Sequence, residues 1–226
     1  MTDNRYERNS ATLTKEETAR LHDCHVAVVG CGGLGGYIIE MLGRIGVGHI
    51  RAIDGDKFEV SNLNRQLLCT EENIGKSKAK AAGERMAHVN SRVAVESINF
   101  MLTEDNAASM LAGMDLVIDA LDSLSARLML QEAAKKENIP LIHGAIGGWY
   151  GRVTTVYPGD DTLSRIYAKK KTGVEKRLGN LSVTSGIIAS VEASEAVKVL
   201  LNKGTTLRNK YVYIDLQNNL FQIMDV

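Results

Sequence analysis

With 226 residues, 44% of them hydrophobic, the chain has the length and apolar content of one α/β domain with a short appendage. Its 27 basic and 27 acidic side chains cancel, so nucleic acid is not expected as a partner and an anionic membrane is not announced by bulk charge. There is no apolar run of about 18 residues and the polar start MTDNRYERNS lacks an apolar signal core, so no membrane span and a cytoplasmic location are expected. Three cysteines, Cys24, Cys31 and Cys69, without C-x-x-C spacing, argue against a disulfide framework and a four-cysteine zinc site.

Residues 1–24 read as a polar arm. Within it, Thr14-Lys15-Glu16-Glu17 has a capping-box pattern and predicts a short helix to Leu21. The apolar run Val26 to Val29 predicts a strand. Gly30, Gly32 and Gly35 then give G-x-G-x-x-G, and Leu34, Ile38, Ile39, Leu42 and Ile45 carry helical spacing. A second strand, His49 to Ile53, ends in Asp54 and Asp56. Strand, glycine turn, helix, strand and acid make a nucleotide-binding βαβ unit. Gly30 permits a tight turn, Gly32 lets a phosphate approach the backbone, and Gly35 lets the helix lie close on the sheet. The helix N-terminus offers unpaired N–H groups to an anion. Asp54, 19 residues beyond Gly35, stands where a carboxylate can accept from ribose hydroxyls.

After Asp56 the chain reads as irregular through Ser61, Asn62, Arg65 and Gln66, then as an alanine-rich helix from Gly75 to about His88, with Lys78 near its start. Val93 to Phe100 alternates as a third strand, and Glu104 to Ala112 is helical. Asp115 to Asp119 is an apolar strand leading into Asp122 and Ser123. Ser125 to Glu137 is the next helix, with Ala126, Leu130, Ala133 and Ala134 on one side. Pro140 to His143 is a short buried strand, and Gly144 to Gly148 a flexible turn. Further strands are expected at Arg152 to Tyr157, Tyr211 to Leu216 and Leu220 to Met224, the last two joined by a turn at Asn218-Asn219. Between the first and second of these lie a polar connection, Pro158 to Asn180, and a long helix from about Ser185 to Leu201 closed by Gly204. The fold class is α/β, a Rossmann-like doubly wound parallel sheet continuing into a mixed or antiparallel C-terminal half, all within a single domain.

Cations just past the ribose acid suit a triphosphate better than a dinucleotide. Asp122 suits a Mg²⁺ held by one or two carboxylates together with phosphate oxygens.

Taken in order, GCGGLGG, the Asp54/Asp56 pair, SNLNRQ, IGKSK and DLVIDALDS resemble the ubiquitin-activating-enzyme-like superfamily, in its bacterial ThiF/MoeB/HesA branch. The resemblance covers nearly the whole chain, from RYERN to SVTSGIIASVEASEAVKVLL. It implies binding of ATP and Mg²⁺ and adenylation of the C-terminal Gly-Gly carboxylate of a small ubiquitin-like sulfur carrier, with release of pyrophosphate. It implies that Gly33 lies on the nucleotide, that Asp54 holds the ribose, and that Asn62, Arg65 and Lys78 contact the phosphates. It implies that Asp122 binds Mg²⁺ and that Arg8 reaches the ATP site of the other subunit of a homodimer. Residues 25–145 would be the nucleotide-binding half and 146–226 the carrier-binding half, with a crossover loop at about 159–180.

The chain departs from the family in three places. No cysteine follows Cys69, so the family's structural zinc is not expected. The crossover loop has no cysteine either, which points to adenylation without a covalent enzyme–carrier link there. The family's Asp-Asn after the fourth strand is Asp122-Ser123 here. The basic loop residues Lys169, Lys170, Lys171, Lys176 and Arg177 read as a solvated face, with docking of an acidic carrier as the alternative. Asp119 and His143 read as structural strand-end groups, with a second metal ligand and contact with the carrier's tail as the respective alternatives. Other functions that keep the fold are activation of a carboxylate on a modified tRNA base and a non-catalytic nucleotide-binding partner; a nicotinamide dehydrogenase would fit the βαβ unit through Asp54 equally well but not the residues that follow it.

Overall fold

The computed structural model describes residues 4–168 and 178–226. The apolar run becomes β1, His25–Val29, with its last four side chains buried. β2, His49–Ile53, lies parallel on one side of it, and β4, Leu116–Asp119, parallel on the other. β3, Ala94–Ile98, extends the sheet beyond β2, and β5, Leu141–Gly147, beyond β4. β6, Tyr150–Val156, β7, Lys210–Asp215, and β8, Leu220–Asp225, follow as an antiparallel series. The full order is β3-β2-β1-β4-β5-β6-β7-β8. Strand order reverses at β1, so the crevice beyond the C-terminal ends of β1 and β4 is the natural ligand position.

Both faces of the sheet are covered around β1 and β4. Val26 and Val28 face a core shared with α2, Gly35–Ile45, α3, Lys78–Val89, and α7, Ser182–Leu201. Ala27 and Val29 face a second core with α4, Glu104–Leu111, α5, Leu124–Lys136, and α6, Thr162–Tyr167. This two-sided burial is why β1 and β4 read as unbroken apolar runs. The capping box of α1, Lys15–Asp23, forms in both directions: Glu17 N–H donates to Thr14 Oγ1 at 3.1 Å, and Thr14 N–H to Glu17 Oε2 at 2.8 Å. Among the described residues no helix is long and apolar enough to cross a membrane.

Several expected boundaries move. Gly144 to Gly147 is no flexible turn: β5 runs on through it, wholly buried and paired with β6 up to Gly147 opposite Tyr150. The glycines serve close packing, since a Cβ on Gly144 would lie 2.3 Å from the Glu192 carboxyl carbon of α7. The connection after β6 is not wholly irregular, because α6 forms within it. α7 begins three residues early and is closed by Asn202, at φ 51°, rather than by Gly204. α3 starts at Lys78 instead of Gly75, with the Ser77 hydroxyl accepting from Lys80 N–H. The turn between β7 and β8 is wider than Asn218-Asn219 alone: Asp215 pairs with Leu220, and the Asp215 carboxylate accepts from the N–H groups of Gln217 and Asn218.

Candidate active site

The glycine turn brings β1, α2 and the end of β4 into contact. Gly30 sits at φ +98°, and its N–H donates to Ile53 O at 2.8 Å. A Cβ there would lie 2.6 Å from Ala120 O, and one on Gly35 only 1.7 Å from Gly30 O. No side chain fits at either position, so the N-terminus of α2 rests directly against the strand ends. No side chain caps that N-terminus, which leaves its first N–H groups to an anion. The crevice opens a cavity of about 160 Å³.

Asp54 enters this cavity already oriented. Its Oδ2 accepts from Cys31 N–H and its Oδ1 from Asp56 N–H, both at 2.8 Å. Each oxygen keeps a lone pair for a ribose hydroxyl. Burial pushes the Asp54 carboxyl up, and the two backbone donors oppose this. Lys78 is buried along its stem; its Nζ lies 3.0 Å from Asp56 Oδ2 and its backbone N–H donates to Asp56 O. Asp56 therefore holds the lysine head at the cavity wall. Cys31 is fully buried beneath the turn, and burial, with Asp54 beside it, pushes its thiol well up, so it stays protonated.

Arg65 lines the cavity and is braced by Nη1 donation to Ser61 O at 3.0 Å and Asn64 Oδ1 at 2.8 Å. Gln66 packs under Gly32, with its Oε1 buried and unbonded among the described residues. Asp122 reaches the cavity from the end of β4. Other expected residues stand back from it. Asn62 is buried and accepts from Glu59 N–H at 3.2 Å, closing a short 3₁₀ turn. The Ser61 carbonyl braces Arg65, and the Ser123 hydroxyl caps α5 by accepting from Ala126 N–H at 3.3 Å. Arg8 is exposed on the N-terminal arm. The arm packs through Tyr6 against Gly46, at the C-terminal end of α2, about 16 Å along that helix from the glycine turn. Arg8 is thus not brought to the cavity of its own chain. The basic loop residues Lys169 to Lys171, Lys176 and Arg177 lie outside the described residues.

The cavity also has walls that sequence reasoning missed. Phe100 and Met101, both well exposed, flank it on the β3 side, an apolar surface suited to a base. Asn180 closes it opposite, with its carbonyl accepting from Asn64 Nδ2 at 3.1 Å. Arg127 lies beneath, only 2% exposed. A signal for Arg127 existed: it shares the apolar face of α5 with Leu130 and Ala134, where an arginine needs buried partners.

Residues 6–226 match the ThiF family over almost the entire chain. The chain belongs to the ThiF family. Among ThiF-family relatives, the SAMP-activating enzyme E1 of Haloferax volcanii is 33% identical over 92% of this chain and 78% of its own length. The molybdopterin-synthase adenylyltransferase of Salmonella typhimurium is 34% identical over 90% of this chain and 84% of its own. The sulfur carrier protein adenylyltransferase of Thermus thermophilus is 32% identical over 93% and 82%. Crystal structures of PaaA and of E. coli MccB share the fold, with TM-scores of 0.82 and 0.83 at 23% and 20% identity; they align over 99% and 100% of this chain and 73% and 70% of theirs. This ThiF-family chain is an adenylyltransferase.

Proposed function

We propose that the chain adenylates the C-terminal Gly-Gly carboxylate of a small ubiquitin-like sulfur carrier, using ATP with Mg²⁺ and releasing pyrophosphate. The observation that carries this reading is the convergence of Arg65, Lys78 and Asp122 on the cavity beside the glycine turn and Asp54. That set supplies a ribose acceptor, two cations for phosphates and one carboxylate for a metal. The adenylyltransferase relatives named for sulfur carriers and for molybdopterin synthase supply the acceptor class.

The donor set fits Mg²⁺, which takes one or two carboxylates together with phosphate oxygens. Asp56 is engaged by Lys78, whereas Asp122 is exposed at the cavity, so Asp122 would hold the metal. Among the described residues no cluster of three or more His, Cys, Asp or Glu is placed to hold a metal by protein ligands alone. Bound there, Mg²⁺ would supply charge neutralisation on the phosphates. In the reaction a carboxylate oxygen attacks the α-phosphorus, an O–P bond forms, and the bond to the β-phosphate breaks with the electron pair leaving on pyrophosphate. Arg65 and Lys78 hold the phosphates and stabilise that departing charge, and Asp54 with the α2 N-terminus fixes the nucleoside end. Catalysis of this kind is positioning and electrostatics, with no protein nucleophile. Arg8, remote from its own cavity, fits a role in the cavity of a second copy, and so a homodimer.

The test is ATP–pyrophosphate exchange against a panel of ubiquitin-like proteins ending in Gly-Gly. One carrier should support exchange, and removal of its last two glycines should abolish it. Absence of exchange with every such carrier, in a protein shown to be folded, refutes the acceptor.

A further inference from the structure

Behind Asp122 lies a set of buried side chains from four separate elements that the chemistry above does not use. Asp119 ends β4, Arg127 is on α5, His143 is on β5 and Tyr167 ends α6. All four are at least nine-tenths buried. We infer that Arg127, Tyr167 and His143, with Asp119, are positioning residues for the adenylation site: they close a hydrogen-bonded ring on the Leu121 peptide and so fix the placement of Asp122. This rests on the proposed role of Asp122.

The ring can be followed donor by donor. Arg127 Nε and Nη2 donate to Leu121 O at 3.0 and 2.8 Å. Arg127 Nη1 donates to Tyr167 Oη at 3.1 Å. The Tyr167 hydroxyl donates to His143 Nε2 at 3.0 Å, and His143 Nδ1–H to Asp119 Oδ2 at 2.7 Å. Asp119 Oδ1 accepts from Leu121 N–H at 3.0 Å. Both polar groups of the residue before Asp122 are thus held, one from each end of the same chain of bonds. The directions close without conflict for a single assignment, a neutral imidazole with its proton on Nδ1.

The surroundings favour that assignment. Burial lowers the His143 pKa, which keeps the ring neutral although Asp119 pulls the other way. Asp119 and Arg127 balance in charge. Glu192 of α7 is fully buried, and burial pushes its carboxyl well up, so it adds no charge. Arg152 of β6 lies over the Tyr167 ring, 4.6 Å from its centroid. A ring serving the core alone would have no need to end on the cavity, yet Leu121 and Arg127 both line it. Satisfied buried networks of this kind rigidify what they hold.

Tyr167→Phe removes one hydroxyl and keeps the aromatic ring under Arg152. The affinity for ATP with magnesium is measured by calorimetry for the wild type, Tyr167→Phe, Asp122→Ala and the double variant. Tyr167→Phe is expected to weaken binding about fivefold, and the double variant to bind no more weakly than Asp122→Ala alone, because the tyrosine acts through the aspartate. Unchanged affinity in Tyr167→Phe, or losses that multiply in the double variant, overturns the inference. If Tyr167→Phe does not fold, His143→Gln is put through the same cycle and judged by the same outcomes. A wild type that binds ATP but adenylates no carrier refutes the acceptor and leaves this cycle to decide the positioning role. A wild type that binds no ATP refutes both.

Discussion

The two strand ends that bound the cavity are built by different means. At the end of β2, Asp54 is held by the N–H groups of Cys31 and Asp56, and Asp56 in turn holds Lys78. These partners lie 23, 2 and 22 residues apart in sequence. At the end of β4, the Leu121 peptide is held by Asp119 and Arg127, which are tied together through His143 and Tyr167 across separations of 24 and 40 residues. The first end is a motif that carries its own supports. The second is assembled by packing α5, α6 and β5 around one turn, so it answers to changes that touch no nucleotide.

Four substitutions sharpen or break that contrast. Gly35→Ala should have the largest effect, because its Cβ would lie 1.7 Å from Gly30 O. Unfolding by denaturant should show a loss of about 3 kcal/mol, with ATP binding lost. A stable variant that binds ATP would show the turn to be less constrained than this geometry requires. Lys78→Ala should lower the exchange rate about 100-fold, the scale for removing one preorganised charge partner from a reacting phosphate, and a rate within threefold of wild type would remove Lys78 from the mechanism. Asp54→Asn should come next. An amide has one acceptor oxygen where the carboxylate has two, so either Cys31 N–H or Asp56 N–H loses its partner, at about 1–2 kcal/mol. ATP affinity should fall about tenfold, the equivalent of some 1.4 kcal/mol; undiminished affinity would separate Asp54 from the ribose.

The last effect belongs to the second strand end and appears only against pH. Folded Glu192 keeps its proton, whereas in the unfolded chain it is released near the ordinary 4.5. The folded state then binds more protons, so this group makes stability fall as pH rises above that value, until the buried carboxyl itself ionises. Glu192→Gln cannot titrate. Its stability relative to wild type should therefore rise with pH, by at most about 1.4 kcal/mol per unit, as read from denaturation midpoints between pH 5 and 8. A flat difference would show that Glu192 is ionised in the folded protein.

Local residue patterns determined much of this protein. The glycine turn, the buried strands flanking it, the acid that ends β2 and the order of a parallel half followed by an antiparallel half were legible, because each rests on short-range physics: periodicity, positive φ, or an acid at a set distance from a loop. Arg65, Lys78 and Asp122, expected from motifs to serve the site, line one cavity. What the sequence left open was the use of polar groups whose partners lie far along the chain. Asn62 of SNLNRQ also closes a local turn, a contact the motif alone does not show. Gly144 to Gly147 looks like a loop, yet is a buried strand because α7 packs against glycines. Tyr167 and Glu192 gave no periodic or motif signal of their own, and the place of Arg127 on the apolar face of α5 did not reveal its partners, since burying an arginine, a hydroxyl or a carboxyl is tolerable only once specific partners or a protonation state are supplied by other elements. Only the tertiary structure brings α5, α6, α7 and β5 together behind the end of β4, and with them the groups that hold the Leu121 peptide.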